Sequence, residues 1–349
     1  MARANHELLT DLLKEVSRSF YLTLRVLPKA IRPQIGLAYL LARTTDTIAD
    51  TEIVSVEQRL QSLQALRERI LGMNSAPLDF GALAQQQGLP AERILLEKCE
   101  PGLALLRQQS AVDQKFIRDV LEVITSGQEL DLKRFGGARA DTKNQGSTEP
   151  RPTSHIIGLQ TDAELDDYTY RVAGCVGQFW TRICLAHQFS LTATSAESFG
   201  ALAVRFGKGL QLVNILRDIP ADLAKGRCYL PSEKLAEIGL TPADLLRPEN
   251  EPKFRPLYNH YLDLAESHLA AGWQYTNLVP FGQMRVRLAC AWPILIGLKT
   301  IGRLRSGNVL DPQNRIKISR SEVWQIVRRS VICYPFVGAW RRLAAPGAH

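Results

Sequence analysis

Apolar residues recur at spacings of three and four along most of the chain, which is the repeat of one face of an α-helix. The segments Val56–Leu71 and Phe116–Phe135 show this repeat clearly. Runs that alternate apolar and polar residues, as strands do, are hard to find. Five further segments have the helical repeat: Leu165–Phe189, Glu197–Ile219, Pro256–Thr276, Gln283–Leu304 and Arg320–Leu343. The pattern therefore predicts an all-α protein.

Two stretches interrupt the helical pattern. Residues 136–160 are rich in Gly, Pro, Ser, Thr and Asn and lack a usable apolar face, which predicts a flexible loop. Between Asp222 and Pro231, Gly226 and Pro231 mark the end of one helix and the approach to the next. The flanks of the first loop look like halves of one bundle, and long loops inside domains often cover sites. We therefore expect residues 1–349 to form a single domain.

The composition indicates where the protein resides in the cell and argues against zinc sites and disulfide frameworks. The chain has 349 residues and is 45% hydrophobic, so it can bury a substantial core. Its longest apolar run, Leu288–Leu298, is shorter than the roughly 20 residues that cross a bilayer, and its N-terminal segment does not resemble a secretory signal. We expect a cytoplasmic protein. The six cysteines form no CxxC pair, which argues against a zinc site or a disulfide framework.

The net charge of +8 indicates a partner that carries phosphate. Nucleic acid, lipid headgroups and a diphosphate substrate all meet that description. One alternative is therefore a non-catalytic, basic helical protein that binds nucleic acid or an acidic membrane. That alternative predicts basic residues on one helix face without acids among them, whereas Arg217 adjoins Asp218 here. We therefore expect no nucleic-acid partner.

Two pairs of aspartates carry the clearest chemical signal. Asp46 and Asp50 lie four residues apart in an apolar run, so a helix would place them on one face with Cβ atoms about 6 Å apart. Such a pair either faces water or holds a cation. Asp218 and Asp222 repeat the spacing at the end of another apolar helix, and two such pairs can face each other across a bundle. Ligands that are all oxygen suit Mg²⁺, which shares its shell with substrate phosphates.

Basic and hydroxyl residues flank both pairs and would neutralise a diphosphate leaving group. They are Ser17, Arg18, Ser19, Arg43, Arg217, Lys225 and Arg227. No P-loop motif occurs, so metal-assisted ionisation is favoured over phosphoryl transfer. Loss of diphosphate from carbon leaves a cation that needs a dry, aromatic-lined cavity. Phe20, Tyr39 and Tyr168 are candidate walls, although core packing is the alternative for each.

Four segments resemble the squalene and phytoene synthase family, whose members join two prenyl diphosphates head to head. The segments are Ser17–Phe20, Tyr39–Asp50, Asp167–Gly177 and Gly207–Pro231. The resemblance implies a helical bundle of the isoprenoid (terpenoid) synthase fold with a central cavity. It also implies that Asp46, Asp50, Asp218 and Asp222 bind Mg²⁺ with help from Asn214, and that Tyr168 is catalytic.

The resemblance further implies a substrate-binding set: Ser17, Arg18, Ser19, Phe20, Tyr39, Arg43, Gln211 and Asn214. Segments Ile124–Phe135, Ala289–Pro293 and Arg315–Val323 are most similar to squalene synthases, which reduce presqualene diphosphate with NADPH. The implied NADPH set is Arg18, Arg43, Arg217, Lys317 and Arg320. We expect two molecules of farnesyl diphosphate to give squalene. The alternative is a phytoene, dehydrosqualene or presqualene diphosphate synthase, which omits the reduction.

Two departures from related eukaryotic enzymes change this expectation. Ala49 and Thr51 stand where those enzymes carry further acids, so the number of Mg²⁺ ions is left open. The sequence ends at RRLAAPGAH, so we expect it to lack the C-terminal hydrophobic anchor of those enzymes. Because the expected product is nearly insoluble in water, we expect peripheral contact with the inner face of the membrane. We expect a monomer or a weak dimer.

Overall fold

Helices make up nearly all of the regular structure in the computed structural model, which confirms the predicted all-α class. The structure describes residues 12–17, 20–136, 156–191, 194–313 and 316–345. The described residues divide into two compact units, with boundaries at Lys133, Gly177 and Ala193. The prediction of a single domain stays a prediction. No helix of the described residues is long and apolar enough to cross a membrane.

The first unit comprises Met1–Lys133 and Gln178–Ala193. Its helices are α1 (Leu13–Ser17), α2 (Phe20–Val26), α3 (Arg32–Asp50), α4 (Val56–Leu71), α5 (Gly81–Gln85), α6 (Pro90–Glu97), α7 (Cys99–Gln108) and most of α8 (Ala111–Phe135). Helix α4 has the predicted bounds because both ends are capped. Ser55 and Gln58 form a capping box at its start, and Gly72 ends it with a φ of 79°.

The second unit comprises Arg134–Gly177 and Thr194–His349. Its two strands are β1 (Ile157–Gly158) and β2 (Arg227–Cys228). Its helices are α9 (Asp162–Thr169), a π-helix (Tyr170–Gly174), the start of α10 (Cys175–His187), α11 (Ala196–Leu223), α12 (Ser232–Glu237), two 3₁₀ turns (Pro242–Leu246 and Pro248–Asn250), α13 (Glu251–Leu278), α14 (Met284–Ser306), α15 (Arg320–Cys333) and α16 (Val337–Arg342).

The helix predicted over Leu165–Phe189 is not a continuous α-helix. Five residues, Tyr170–Gly174, form a π-helix between α9 and α10. Such π segments frequently mark functional sites. The spacing of apolar residues does not reveal them, because a single wider turn hardly changes that spacing. The segment predicted over Arg320–Leu343 is also divided. It breaks after Cys333 because Pro335 cannot continue a helix.

A two-residue parallel ladder joins the segment that leads into α9 to the segment that follows α11. Ile157 pairs with Arg227 and Gly158 pairs with Cys228. The Ile157 amide donates to the Gly226 carbonyl at 3.0 Å. Gly226 has a φ of 75°, a left-handed conformation that favours glycine. The interruption predicted after Asp222 is therefore a sharp turn into a strand. Residues 137–155 of the predicted loop lie outside the described residues.

Glycines let α11 approach its neighbours backbone to backbone. A Cβ atom on Gly177 would lie 2.0 Å from the Ala203 carbonyl oxygen, and one on Gly207 would lie 2.2 Å from the Ala173 carbonyl oxygen. Both distances are far below van der Waals contact, so only glycine permits this packing. The other side of α11 packs on α13, where the Tyr258 hydroxyl donates to the Leu216 carbonyl at 3.1 Å. Helix α11 is thus fixed from two sides.

We predict that Gly207→Ala destabilises the protein while Gly200→Ala, in the same helix, does not. The new methyl group at residue 207 must push two backbones apart, which costs about 1–3 kcal/mol or more of the free energy of unfolding. No atom lies within 4 Å of a Cβ on Gly200, so that change should be neutral or stabilising by up to about 1 kcal/mol. Urea denaturation measures both. Equal effects at the two positions would contradict the packing described here.

Candidate active site

Four predicted site residues lie on one face of α3. Tyr39, Arg43, Asp46 and Asp50 follow one another at intervals of four, three and four residues, close to the helical repeat. The opposite face is buried and carries Leu37, Leu41 and Ile48, each at most 1% exposed. Helix α3 is therefore amphipathic, with an apolar side that packs into the first unit and a polar stripe that ends at the last residue of the helix.

Arg43 lies at the centre of the α3 stripe and pairs with two carboxylates. One of its guanidinium nitrogens contacts Asp46, and the other lies 2.7 Å from the Glu92 carboxylate in α6. Glu92 is not among the predicted site residues, because a single acid in the first turn of a helix usually interacts only with the helix dipole. The Tyr39 hydroxyl donates to the Val16 carbonyl at 3.3 Å. The pairing holds Arg43 beside the first aspartate.

Asp46 is electrostatically strained. Burial and the nearby Asp50 raise the pKa of its carboxyl to about 6, although Arg43 opposes the shift. Its side chain nevertheless keeps 43% of its surface exposed, so small ions can reach it. Burial alone would lower the pKa of Arg43, but Asp46 and Glu92 raise it above its ordinary value. This site favours a further cation beside the two aspartates.

The acids missing from the α3 motif are replaced by buried residues. Ala49 is 8% exposed and Thr51 is 5% exposed. The Thr51 hydroxyl donates to the Thr47 carbonyl at 2.7 Å. A carboxylate at either position would have to be buried, which is costly without a partner. The first cluster is therefore limited to the two aspartates on the exposed stripe.

Helix α11 carries a second stripe with a similar spacing. Gln211, Asn214, Asp218 and Asp222 follow at intervals of three, four and four residues, and the helix ends at Leu223. Here too the first aspartate has an arginine partner, since Arg217 Nε donates to Asp218 at 3.0 Å. Asn214 is exposed, and the other three side chains are half-buried. The structure therefore brings each predicted set together within its own helix.

A pocket lies against the end of the α11 stripe. The pocket is small, with room for about one water molecule. Its lining is mostly apolar: Ile215, Ile219, Asp222, Leu223, Arg227, Cys228, Tyr229 and Leu230. Burial raises the pKa of the Cys228 thiol to about 12, in keeping with a dry wall. Carboxylate and hydrocarbon surface thus meet at Asp222.

Tyr168 lies behind the wall of this pocket. Its ring is 8% exposed and stacks on Tyr229 with centroids 4.6 Å apart, and Tyr229 meets Phe135 edge to face at 5.4 Å. Neither Tyr229 nor Phe135 is among the predicted site residues. A tyrosine two residues before Pro231 and a phenylalanine at a helix end give no chemical signal until the fold stacks them. Together the three rings hold Tyr168 in one orientation.

Four candidates near the N-terminus are only partly described. Arg18 and Ser19 lie outside the described residues, and so do the side chains of Ser17 and Phe20. Their backbones place Ser17 at the end of α1 and Phe20 at the start of α2. The substrate roles of these four residues stay predictions.

Lys317 and Arg320 lie on the second unit, before and at the start of α15. Both are exposed. The Lys317 carbonyl accepts a hydrogen bond from Arg303, and Arg303 lies 2.7 Å from the Glu322 carboxylate. The hydrogen bonds and ion pairs of the described chain do not connect Lys317 or Arg320 to the α11 stripe. Their place in an NADPH site stays a prediction.

Each aspartate pair fits a metal ion only in part. Among the described residues, no group of three or more His, Cys, Asp or Glu side chains could hold a metal ion. Two carboxylates one helical turn apart nevertheless match Mg²⁺, which is usually held by one or two carboxylates and completes its shell with water and substrate phosphate. The donor set therefore fits Mg²⁺ bound together with a diphosphate.

Comparison with known proteins identifies relatives of the chain. A family model described as squalene/phytoene synthase matches residues 13–322. The presqualene diphosphate synthase of Zymomonas mobilis is 29% identical over 318 residues, which cover 90% of each chain. The squalene synthase of Saccharomyces cerevisiae is 27% identical over 320 residues, which cover 92% of this chain and 66% of the yeast protein.

A solved structure shares the fold. The complex of TcSQS with a ligand aligns over 97% of this chain and 98% of its own, with a TM-score of 0.75 and 20% sequence identity. This agreement confirms the predicted helical fold of the isoprenoid synthases.

We predict that Asp46→Asn raises the melting temperature of the metal-free protein above pH 6. The Asp46 pKa rises from an ordinary 3.8 to about 6, so its charged form costs folding stability above that pH. The cost disappears as the pH falls from 6 towards 3.8, and the variant should then match the wild type.

Calorimetry in EDTA at several pH values on both sides of 6 measures this difference. Asp263→Asn is the control, because its side chain is 68% exposed. A lower melting temperature for Asp46→Asn at high pH would mean that the ion pair with Arg43 outweighs the repulsion from Asp50.

Proposed function

This chain belongs to the squalene/phytoene synthase family, and we propose that it is a squalene synthase. It would join two molecules of farnesyl diphosphate into presqualene diphosphate and reduce that product to squalene with NADPH. The observation that carries the proposal is the pair of matching stripes, each with two aspartates one turn apart and an arginine on the first of them. Two acidic and basic clusters of this kind would suit the two diphosphates of the proposed reaction.

The first step would break the bond between C1 and oxygen in one farnesyl diphosphate, and the diphosphate would leave with the electron pair. The allylic cation would then be attacked by the double bond of the second molecule. Loss of one proton would close the cyclopropane of presqualene diphosphate. In the second step the remaining diphosphate would leave, and a hydride from NADPH would complete squalene.

The aspartates would bind the metal and the arginines would bind the leaving group. Asp46 and Asp50, and Asp218 and Asp222 with Asn214, would hold Mg²⁺, which when bound neutralises the charge that develops on the leaving diphosphate. Arg43 and Arg217 contact the first aspartate of each pair. When substrate binds, these arginines would exchange the carboxylate for a diphosphate oxygen. Neighbouring residues would add donors to the diphosphates: Ser17, Arg18, Ser19 and Gln211.

Tyr168 would act on the cation and its proton. Its ring belongs to the stack with Tyr229, which also lines the apolar pocket at Asp222. A π face beside a cation stabilises it, and the hydroxyl can hold the proton that leaves when the cyclopropane closes. Phe20 and Tyr39 would shape the hydrocarbon site. A dry, stacked environment supports this role because water would otherwise trap the cation.

Lys317 and Arg320 would hold NADPH, with Arg18, Arg43 and Arg217 as further members of the proposed set. Two exposed cations three residues apart suit the phosphate groups of the dinucleotide, and the cofactor when bound supplies the hydride. The similarity to the yeast squalene synthase supports the reductive step.

A second candidate is a synthase that releases presqualene diphosphate. The Zymomonas mobilis relative of that name matches 90% of its own length, more than the yeast squalene synthase does. In that case the first step and its residues are the same, and Lys317 and Arg320 have no role in catalysis.

The product formed with and without NADPH distinguishes the two candidates. Purified protein, Mg²⁺ and labelled farnesyl diphosphate should give squalene only when NADPH is present, and presqualene diphosphate should accumulate without it. Presqualene diphosphate as the sole product in both reactions would support the second candidate. Dehydrosqualene in both would overturn the proposed reduction.

We predict that Asp46→Asn and Asp218→Asn each lower kcat by about 10²–10³-fold, the usual loss when one group that stabilises transition-state charge is removed. Asp263→Asn, which removes an exposed acid paired with Arg305, should keep full activity. Circular dichroism should show that all three variants are folded. Wild-type turnover by either stripe variant would refute the assignment of that aspartate.

A further inference from the structure

An exposed apolar and basic surface lies at the C-terminal end of the second unit. We call it the α15–α16 surface and define it by Trp324, Arg328, Val331, Ile332, Phe336 and Val337. Thirteen large hydrophobic side chains are exposed among the described residues, and five of them lie between Trp324 and Val337. Such concentration of apolar surface in one short segment usually marks a binding face.

The apolar side chains share the outer face of α15 with arginine. Trp324, Arg328 and Val331 are spaced by four and three residues, so they line one outward stripe. Ile332 lies beside this stripe and is 65% exposed, while Ser330 on the opposite side is fully buried. Phe336, at the break before α16, is 66% exposed. The outward face therefore presents hydrocarbon with a cation in its middle.

Charge indicates which partner fits this face. Residues 316–345 contain six basic residues and one acid, Glu322. Glu322 is already ion-paired with Arg303 at 2.7 Å and Lys299 at 3.3 Å. Within the described chain, Arg328 and Arg329 form no ion pair. A face that combines free arginines with tryptophan and aliphatic side chains suits the boundary between anionic headgroups and acyl chains.

The base beneath the surface is rigid. Tyr334, between α15 and α16, stacks on Phe281 at 5.0 Å, and Arg287 lies over both rings at 5.7 Å. The Trp340 indole donates to the Asn277 side chain at 2.9 Å, which ties α16 to the end of α13. The exposed side chains are therefore held in place before any partner binds, which lowers the entropic cost of docking.

From these observations we propose that the α15–α16 surface docks the protein on an anionic lipid bilayer, with Trp324, Ile332 and Phe336 inserted at the interface and Arg328 and Arg329 on the headgroups. The helices lie on the membrane and do not cross it. The exposure and the charge of the α15–α16 surface support this docking whether or not the proposed reaction is correct.

Vesicle binding by the full chain tests the proposal. The protein should sediment with mixed phosphatidylcholine and phosphatidylglycerol vesicles, less with pure phosphatidylcholine, and less again in high salt. Arg328→Gln with Arg329→Gln should weaken binding about 25-fold, since each basic residue near an anionic surface contributes a factor of about five. Arg93→Gln with Arg107→Gln is the matched control, because it removes the same charge from exposed positions of the first unit.

Tryptophan fluorescence tests insertion directly. Trp324 is 54% exposed, so its emission should shift to the blue on vesicles and be quenched by brominated lipid. Trp324→Phe should abolish both changes. Ile332→Ser with Phe336→Ser should weaken binding at least tenfold, and the control Ile53→Ser with Met73→Ser, at positions 67% and 75% exposed, should bind like the wild type.

Three results would overturn the proposal. The first is equal binding to neutral and anionic vesicles, and the second is binding by the surface variants that matches their controls. The third is a lipid-free dimer, detected by sedimentation velocity, that is lost in Ile332→Ser with Phe336→Ser. That result would assign the surface to contact between two copies of the chain.

Discussion

Two carboxylates at the C-terminal end of an apolar helix are electrostatically unfavourable. The proposed chemistry depends on such a pair at the end of α3 and of α11. They repel each other and the partial negative charge of the helix end. On α3, burial and the nearby Asp50 raise the pKa of Asp46 to about 6 even with Arg43 in contact. On α11 the last turns also carry two aspartates one turn apart, Asp218 and Asp222. A further cation beside Asp46 and Asp50 would relieve this cost, as the proposed binding of a metal ion together with a diphosphate requires.

The rest of each unit holds these helix ends in place. Buried leucines and Ile48 fix the inner face of α3. Helix α11 packs more closely, since Gly177 and Gly207 allow its backbone to contact the backbone of the preceding helical segment. Just past Asp222, the ladder between β1 and β2 sets the turn that brings Tyr229 under Tyr168. Apolar surface and a charged stripe then meet at Asp222, as the proposed substrate, with a diphosphate head and an apolar tail, would require.

Sequence alone predicted the parts of this arrangement that depend on local spacing. The helical class, the bounds of α4 and the two stripes follow from periodicity and from residues three and four apart. The π-helix at Tyr170–Gly174 was missed because a wider turn leaves no compositional trace. Glu92 and Tyr229 were missed because their importance arises only from contact with Arg43 and Tyr168, which are distant in sequence. Ala49 and Thr51, which stand where related enzymes carry further acids, are both buried, a state that the sequence did not reveal.

The central claim is that each aspartate pair is an incomplete metal site that a diphosphate completes. Electron paramagnetic resonance of Mn²⁺, used in place of Mg²⁺, tests it most directly, with a non-hydrolysable farnesyl thiodiphosphate as ligand. Tight metal binding should appear only when the analogue is present, and both Asp50→Asn and Asp222→Asn should weaken it. Tight binding without the analogue, or unchanged binding in either variant, would contradict the claim.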